Sequence, residues 1–405
     1  MDHRASRTGL FILGLCFVLS LLGRGLGESF TVFLLPISAS FGWDRAEVVS
    51  IYSLTALCTG LASPLVGRLF DRSGPRAVYT LGMALLGGAL LIAAYAERLW
   101  QLQITVGLCV GLGIAFTGNV PNSILLGRWF GARLPTAMAV VYSAIGAGVL
   151  VMLPIAQVLI ERYGWREAYL MLGGAMLILL LPLSLLPWRR FAAGADAHAQ
   201  RPAHDADDDG WTLRSAMRHH AFWALFATFF FTAIGMYSIS AQVVAYLVDA
   251  GFTPLQAATA WGFSGVVLVV GMLGVSWLDG VIGRRPSILF SYAISITGLG
   301  LLWLLQWYPN LLLLGGFVIC FGSMIGSRGP LITATAMSIF RGKRVGTIYG
   351  TISIGSGLGS AFGSWCGGLL HDLTQSYNPV LGFALVSVVL GMIPFLVVPA
   401  LRERQ

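Results

Sequence analysis

A repeat within the sequence constrains the fold of this chain more than any other feature. Gly42, followed by the start of a helix, matches Gly251, which lies 209 residues later. The other matches align within a residue: Asp71 with Asp279, Asn119-Val120-Pro121 with Arg328-Gly329-Pro330, and Phe130 with Phe340. Because both copies are apolar almost throughout, the repeat predicts two similar halves, each containing several membrane-spanning segments.

The composition indicates a membrane protein. Hydrophobic residues make up 57% of the sequence and charged residues only 10%, whereas a soluble domain has about 25% charged residues. The net charge of +8 comes almost entirely from arginines in short loops, without a basic stripe of interleaved aromatic residues. We therefore expect a lipid bilayer as the environment and no nucleic-acid partner. The five cysteines lack metal-ligand spacing, so no metal site is expected.

Hydropathy predicts an all-α polytopic fold. A spanning helix needs about 20 apolar residues. The sequence offers twelve such segments, at about 9–36, 46–66, 77–96, 100–127, 135–160, 167–187, 220–248, 255–278, 286–307, 311–338, 346–370 and 379–400. These segments predict three regions: an N-terminal six-helix half at 1–187, a cytoplasmic linker at 188–219 and a C-terminal six-helix half at 220–405. Twofold repeats of this kind are typical of secondary transporters, whose substrates bind between the halves near mid-membrane.

The distribution of basic residues predicts the orientation in the membrane. Cytoplasmic loops carry an excess of lysine and arginine. With both termini in the cytoplasm, only a few basic residues lie outside: Arg45, Arg98, Arg162 and Arg166. We therefore expect a multi-pass protein of the cytoplasmic (inner) membrane with cytoplasmic N- and C-termini. The short loops are typical of a bacterial protein.

Small residues are dense in the predicted fifth and eleventh helices. They include Gly146 and Gly148 in the fifth helix, and Gly355, Gly357, Gly359 and Gly363 in the eleventh. Small residues at this spacing let helices approach closely. Two interpretations are open at this stage: static packing, or a seam along which the halves slide.

The loop between the second and third predicted helices carries a family motif. Residues 67–76 read Gly-Arg-Leu-Phe-Asp-Arg-Ser-Gly-Pro-Arg, which resembles the signature G-x-L-x-D-R-x-G-x-R/K of the major facilitator superfamily. A degenerate copy, with Asp279, Gly283 and Arg284, follows in the second half. In that family the aspartate and basic residues form a cytoplasmic latch against a neighbouring helix end. The resemblance implies this role for the following residues: Gly67, Asp71, Arg72, Gly74 and Arg76.

A narrower resemblance is to the branch of oxalate/formate antiporters and monocarboxylate transporters. Phe33 to Pro36, followed by Phe41 to Ala46, resembles the exit of that branch's first helix. Arg128 to Arg133, followed by Ala137, resembles its connection between the fourth and fifth helices. The chain departs from this branch in its eighth helix, which lacks the basic substrate ligand found there in characterised members.

Three ionisable residues lie well inside predicted spans, where charge is costly and usually functional. Arg24 and Glu28 are on the first helix, and Arg328 is on the tenth. Arg24 lies roughly 22 Å and Arg328 roughly 18 Å from the cytoplasmic ends of their helices, at 1.5 Å per residue. The resemblance implies that the first and tenth helices line a central cavity. The two arginines are therefore expected to bind one substrate from opposite halves.

These residues predict an anionic substrate. Guanidinium groups hold carboxylates through charge-assisted hydrogen bonds. Glu28 is four residues from Arg24 and shares its helix face. It either neutralises Arg24 in the empty site or takes up a proton that frees Arg24, which would couple transport to protons. The alternatives are a structural Arg24–Glu28 ion pair and a helix-packing role for Arg328. Asn119, the repeat partner of Arg328, and Tyr237, that of Glu28, are weaker candidates for substrate contacts.

The lack of catalytic sequence motifs favours transport over catalysis. The sequence has no Walker A loop and no nucleophile elbow, so we expect neither an enzyme nor a cofactor. The leading hypothesis is a monomeric secondary transporter of small mono- or dicarboxylates, working by proton symport or anion exchange. The alternatives are a drug or metabolite exporter of the same fold, which would suit apolar cations, and a non-transporting membrane sensor.

Overall fold

The computed structural model of the chain describes residues 3–130, 134–193, 211–325, 327–340, 345–398 and 401. Within these residues the regular secondary structure is entirely helical. The chain forms two compact units. Unit 1 comprises the described residues of 1–43 and 50–202, and unit 2 those of 44–49 and 203–405. The predicted linker falls mainly at 194–210, which lie outside the described residues.

Where the structure describes it, the first part of the chain forms eight α-helices, of which the second contains a kink. They are α1 His3–Phe41, α2 Arg45–Ala93, α3 Leu99–Leu102, α4 Gly111–Thr117, α5 Asn119–Phe130, α6 Leu134–Tyr163, α7 Trp165–Leu185 and α8 Trp188–Ala193. A π-helix at Gln103–Val110 joins α3 to α4. The kink in α2 lies at Gly74, whose φ of 73° is outside the helical range, so α2 accounts for two of the predicted spans.

The second part forms nine α-helices in the described residues. They are α9 Leu213–Met217, α10 His220–Ser240, α11 Val243–Asp249, α12 Pro254–Ile282, α13 Arg284–Leu304, α14 Leu311–Phe317, α15 Gly329–Ile339, α16 Val345–Thr374 and α17 Asn378–Val397. A π-helix at Val318–Gly322 follows α14. At the start of α12, Thr253 and Gln256 form a capping box, with Pro254 at the first helical position.

Helix length and composition agree with an all-α membrane fold. In the described part of the chain, ten helical segments are long and apolar enough to cross a bilayer, with lengths of 20 to 34 residues. The predicted tenth span is divided among α14, the π-helix and α15. The predicted eleventh span corresponds to α16. The expected all-α polytopic fold is confirmed.

The repeat is also visible in the backbone turns. Gly42 and Gly251 both have positive φ, at 68° and 100°, and so do Gly74 and Gly283, at 73° and 88°. Each pair is 209 residues apart, the offset of the sequence repeat. Positive φ strains any residue with a Cβ atom. Glycine therefore terminates equivalent helices at equivalent points of the two copies.

The dense glycines pack helices together within each unit. A Cβ atom at Gly25 of α1 would lie 2.8 Å from the carbonyl oxygen of Gly148 in α6. In unit 2, a Cβ atom at Gly363 of α16 would lie 2.7 Å from the oxygen of Ile234 in α10. These contacts leave no room for a side chain, so the glycines set the close approach of α1 to α6 and of α10 to α16. Their packing role favours the static interpretation.

Candidate functional site

Both helices predicted as the fourth and tenth spans are interrupted. In unit 1, Gly118 ends α4 with φ −93° and ψ −150°, and α5 begins at the next residue. In unit 2, residues 325, 327 and 328 lie in turns that separate the preceding helical segment from α15. Each interrupted helix also contains a π-helical stretch. Discontinuous helices at related positions of two repeats are typical of substrate sites in secondary transporters, because they place backbone groups and side chains at mid-membrane.

In unit 1, the glycines around Arg24 determine which way it faces. Gly23 and Gly27 lie one helical turn apart and face α4, where a Cβ atom at Gly27 would lie 2.5 Å from the side chain of Ile114. Gly25 faces Gly148. Since these faces of α1 are filled by close packing, Arg24 and Glu28, also one turn apart, occupy a different face.

Arg24, Glu28 and Tyr52 form a polar cluster in unit 1. The Nη2 of Arg24 lies 3.4 Å from Oε1 of Glu28, and their side chains are 31% and 16% exposed. The hydroxyl of Tyr52, on α2, donates a hydrogen bond of 2.8 Å to Oε2 of Glu28. The predicted Arg24–Glu28 pair is therefore formed, and Tyr52 is a partner that the sequence did not reveal. The cluster has the groups needed to exchange a proton or to release a paired arginine.

Arg328 occupies the turn just before α15 and is only 2% exposed. Among the described residues it is the only charged side chain that is buried. The guanidinium group reaches α13: Nε donates to Oγ of Ser291 over 2.8 Å, and Nη2 donates to the Ser291 carbonyl oxygen over 2.9 Å. Nη2 also donates to Oγ of Ser295. Arg328 is therefore held by acceptors that carry no charge.

The third nitrogen of this guanidinium differs from the other two. Nη1 of Arg328 is buried and has no hydrogen-bond partner among the described residues. The ring of Tyr292 lies 4.1 Å from Cζ of Arg328, close enough for a cation–π interaction. A buried cation without a counter-ion carries a desolvation cost of several kcal/mol. The arrangement is thus suited to binding an anion at Nη1.

The weaker predicted contacts have different surroundings. Asn119, at the start of α5, is exposed, while Asn122, one turn further on, is fully buried. Asn122 donates to Oγ of Ser20 over 2.7 Å and accepts a 2.8 Å bond from the hydroxyl of Tyr79, so it ties helices of unit 1 together. Tyr237, on α10 of unit 2, is half-buried.

The predicted latch lies around the kink of α2. Arg72 and Arg76 are exposed, Gly67 is half-buried on the preceding turn and Gly74 is the kink itself. The side chain of Asp71 lies outside the described residues. The loop borders a cleft of about 550 Å³, absent from the sequence prediction, that is lined by Ser73, Gly74, Pro75, Arg76, Leu186, Pro187, Trp188, Arg189 and Ala192.

The second copy of the latch motif contains an ion pair. Oδ1 of Asp279 lies 3.8 Å from Nε of Arg284, on either side of Gly283. Both side chains are partly exposed, so this pair contributes at most about 1 kcal/mol to stability. The geometry nevertheless indicates how the aspartate and arginine of such a loop are placed to interact across a glycine turn.

A further polar cluster of unit 2 escaped the sequence prediction. Nη2 of Arg45 lies 2.6 Å from Oδ2 of Asp249, and Nη1 donates to the hydroxyl of Tyr377. Asp372 accepts hydrogen bonds from the backbone N–H of Arg45, at 3.1 Å, and of Ala46, at 2.5 Å. A carboxylate at this point caps the N-terminus of α2. Burial raises the pKa of the Tyr377 hydroxyl, which therefore stays protonated at neutral pH.

The described residues do not suggest a metal centre. Among them, no group of three or more His, Cys, Asp and Glu side chains is placed to hold a metal ion. The ionisable residues described above are instead paired with arginine, tyrosine or backbone groups.

Comparison with known protein families shows what the chain resembles. The model of the Major Facilitator Superfamily matches residues 13–364. An uncharacterized MFS-type transporter of Bacillus subtilis (strain 168), YcxA, is 26% identical in an alignment of 405 positions that covers 95% of each chain. Monocarboxylate transporter 12 of Rattus norvegicus is 25% identical and covers 95% of this chain and 85% of its own.

Solved structures show the same fold. A mutant of the nucleoside transporter NupG matches with a TM-score of 0.77, covering 95% of this chain and 100% of its own at 14% identity. At this identity the likeness concerns the fold alone. The family model and the curated relatives confirm the resemblance to major facilitator transporters and to their monocarboxylate branch.

Proposed function

Because the chain belongs to the major facilitator superfamily, we propose that it carries a small organic anion with a carboxylate group across the cytoplasmic membrane. The proposed mechanism is alternating access, either as proton symport or as anion exchange, with both termini in the cytoplasm. The observation that carries this proposal is the buried guanidinium of Arg328, whose Nη1 has no partner among the described residues.

Arg328 favours an anionic ligand for an energetic reason. Its Nε and Nη2 are satisfied by neutral oxygens, so the positive charge is solvated but not neutralised. A carboxylate at Nη1 would supply the missing counter-charge through a charge-assisted hydrogen bond, which is about twice as strong as a neutral one. An apolar cation would be repelled at the same place. The site therefore favours anions over the cations that many exporters handle.

Arg24 and Glu28 are proposed to couple this binding to protons. In the present arrangement Glu28 accepts from Tyr52 and pairs with Arg24, which keeps the arginine engaged. Protonation of Glu28 would remove the negative charge and leave Arg24 available to a substrate carboxylate. The same pair would also serve anion exchange if Glu28 stayed ionised, since a substrate would then compete with it for Arg24.

The other predicted residues have supporting roles in the proposal. Asn119 and Tyr237 are proposed to donate hydrogen bonds to the polar part of the substrate. The cytoplasmic latch is proposed to stabilise one of the alternating states through these residues: Gly67, Asp71, Arg72, Gly74 and Arg76. The ion pair of Asp279 and Arg284 in the second copy supports this assignment, because it joins an aspartate and an arginine across a comparable turn.

Uptake into proteoliposomes tests the proposed function. The purified protein would be assayed for uptake of radiolabelled propionate, in competition with other carboxylates and with lipophilic cations. We expect carboxylates to compete and cations to have no effect, and we expect Arg328→Gln to abolish uptake. Arg218→Gln, at an exposed arginine, is the matched control and should transport normally. Competition by lipophilic cations with no effect of any carboxylate would instead support the exporter.

A further inference from the structure

The hydrogen bonds of Arg328 divide its guanidinium into an occupied and an open part. An arginine has two forks that can hold a carboxylate with paired bonds: Nε with Nη2, and Nη1 with Nη2. Ser291 fills the first fork with its hydroxyl and its carbonyl oxygen. Ser295 takes the remaining hydrogen of Nη2 and so occupies half of the second fork. Only Nη1 is left to a ligand.

We propose that Ser295 limits the affinity of the site by restricting Arg328 to a single-nitrogen contact with the substrate carboxylate. This inference rests on the proposed function, in which Arg328 binds the transported anion. Ser291 acts in the same arrangement as a positioning residue, since it aligns the guanidinium without contacting the ligand.

The serine hydroxyls are oriented to accept from Arg328. Oγ of Ser291 donates its own hydrogen to the carbonyl oxygen of Ile288 over 2.6 Å, and Oγ of Ser295 donates to the carbonyl oxygen of Ser291 over 3.1 Å. Each hydroxyl has thus used its only hydrogen within α13. The lone pairs that remain face the guanidinium, so the serines compete with a carboxylate for the N–H groups of Arg328.

Tyr292 holds the guanidinium of Arg328 in this orientation. Its ring lies 4.1 Å from Cζ of Arg328. The hydroxyl of the same tyrosine is within 2.6 Å of Oγ1 of Thr232 on α10 and donates over 3.0 Å to the carbonyl oxygen of Gly391 on α17. A ring anchored to two other helices cannot swing aside, so Arg328 cannot rotate to present its occupied fork to a ligand.

The single free nitrogen determines how tightly a carboxylate binds. A carboxylate bound through Nη1 alone forms a weaker contact than a bidentate pair, which suits a transporter that must release its substrate. Without the Ser295 hydroxyl, the same carboxylate could bind through Nη1 and Nη2 together.

Substitution of Ser295 tests this inference. Ser295→Ala removes the acceptor that competes for Nη2. Ser295→Cys weakens that acceptor with little change of side-chain volume, since a thiol is a weak acceptor. Both open the second fork to a carboxylate. We expect propionate to bind about tenfold more tightly, with a lower KM and a lower turnover in uptake, because release becomes slower.

Ser287→Ala is the matched control for these variants. Ser287 lies on the same helix, is equally buried and donates its hydroxyl hydrogen to the carbonyl oxygen of Gly283, away from Arg328. A general effect of losing a buried serine would appear in all three variants as lower stability. Only the proposed role predicts tighter propionate binding at position 295 with unchanged binding in Ser287→Ala.

The outcomes separate this inference from the proposed function. If Arg328→Gln binds propionate as well as the wild type, the proposed role of Arg328 is wrong and the inference fails with it. If Arg328→Gln loses binding but both Ser295 variants keep wild-type affinity for propionate, only the inference is overturned.

Discussion

Substitution of Glu28 by glutamine is the perturbation that most directly separates coupling from transport. In the structure, Oε1 of Glu28 lies 3.4 Å from Nη2 of Arg24, and Oε2 accepts a 2.8 Å hydrogen bond from Tyr52. Glutamine keeps the shape and the hydrogen-bonding oxygen but removes the negative charge and the titratable proton. It therefore mimics the protonated carrier permanently. We expect Glu28→Gln to lose accumulation driven by a proton gradient and to retain exchange of one carboxylate for another.

The distance between the two charges sets the size of the effect. Two unit charges 3.4 Å apart interact by about 5 kcal/mol at an effective dielectric constant of about 20. Desolvation and side-chain entropy cancel most of this attraction, so a net contribution of about 1 kcal/mol is expected for a partly exposed pair. Freeing Arg24 from that pair should tighten carboxylate binding by up to about fivefold, since about 1.4 kcal/mol corresponds to a factor of ten.

The assay compares two modes of transport in the same proteoliposomes. Accumulation of labelled propionate would be measured with an imposed proton gradient, and exchange would be measured with unlabelled propionate inside and no gradient. Glu161→Gln is the matched control, because Glu161 is an exposed glutamate of the same unit that bonds to Gln157. Gradient-driven accumulation by Glu28→Gln at the wild-type level would refute the coupling role of this residue.

Three further predictions concern packing, capping and the latch. Gly25→Ala places a methyl group against the backbone of Gly148 and should lower the free energy of unfolding by about 1 to 3 kcal/mol. Gly14 has open space around it, so Gly14→Ala is the control and should leave the free energy of unfolding unchanged. Thermal unfolding measures both variants. Asp372→Ala removes the carboxylate cap of α2 and should cost about 1 kcal/mol in the same measurement. Asp71→Asn should shift the balance between inward-open and outward-open states, measured by accessibility of an introduced cysteine; an unchanged balance would contradict the latch.

Features set by local sequence could be predicted well. The apolar segments, the capping box at Thr253 and the turns at Gly42 and Gly251 all depend on residues that are close in the chain. The Arg24–Glu28 pair was predictable for the same reason, because residues four apart on a helix are neighbours. The repeat then extended these local signals to the whole fold.

Features that depend on distant contacts could not be read from the sequence. The partners of Arg328 lie 33 and 37 residues away on α13, and Ser291 and Ser295 look like ordinary small residues of an apolar helix. Their four-residue spacing with Ser287 was the available signal, since it places three hydroxyls on one helix face. Similarly, hydropathy does not reveal which of Asn119 and Asn122 is buried, because this depends on where the break in the helix falls.

Thermal stability of the purified protein with a series of carboxylates tests the central claim most directly. A ligand stabilises the state that it binds, by about 2.7 kcal/mol at a concentration one hundred times its Kd. We predict that propionate or a related monocarboxylate raises the Tm of the wild type and leaves that of Arg328→Gln unchanged. An absence of any shift with anions, together with a rise in Tm with lipophilic cations, would contradict the account and make Arg328 a structural residue.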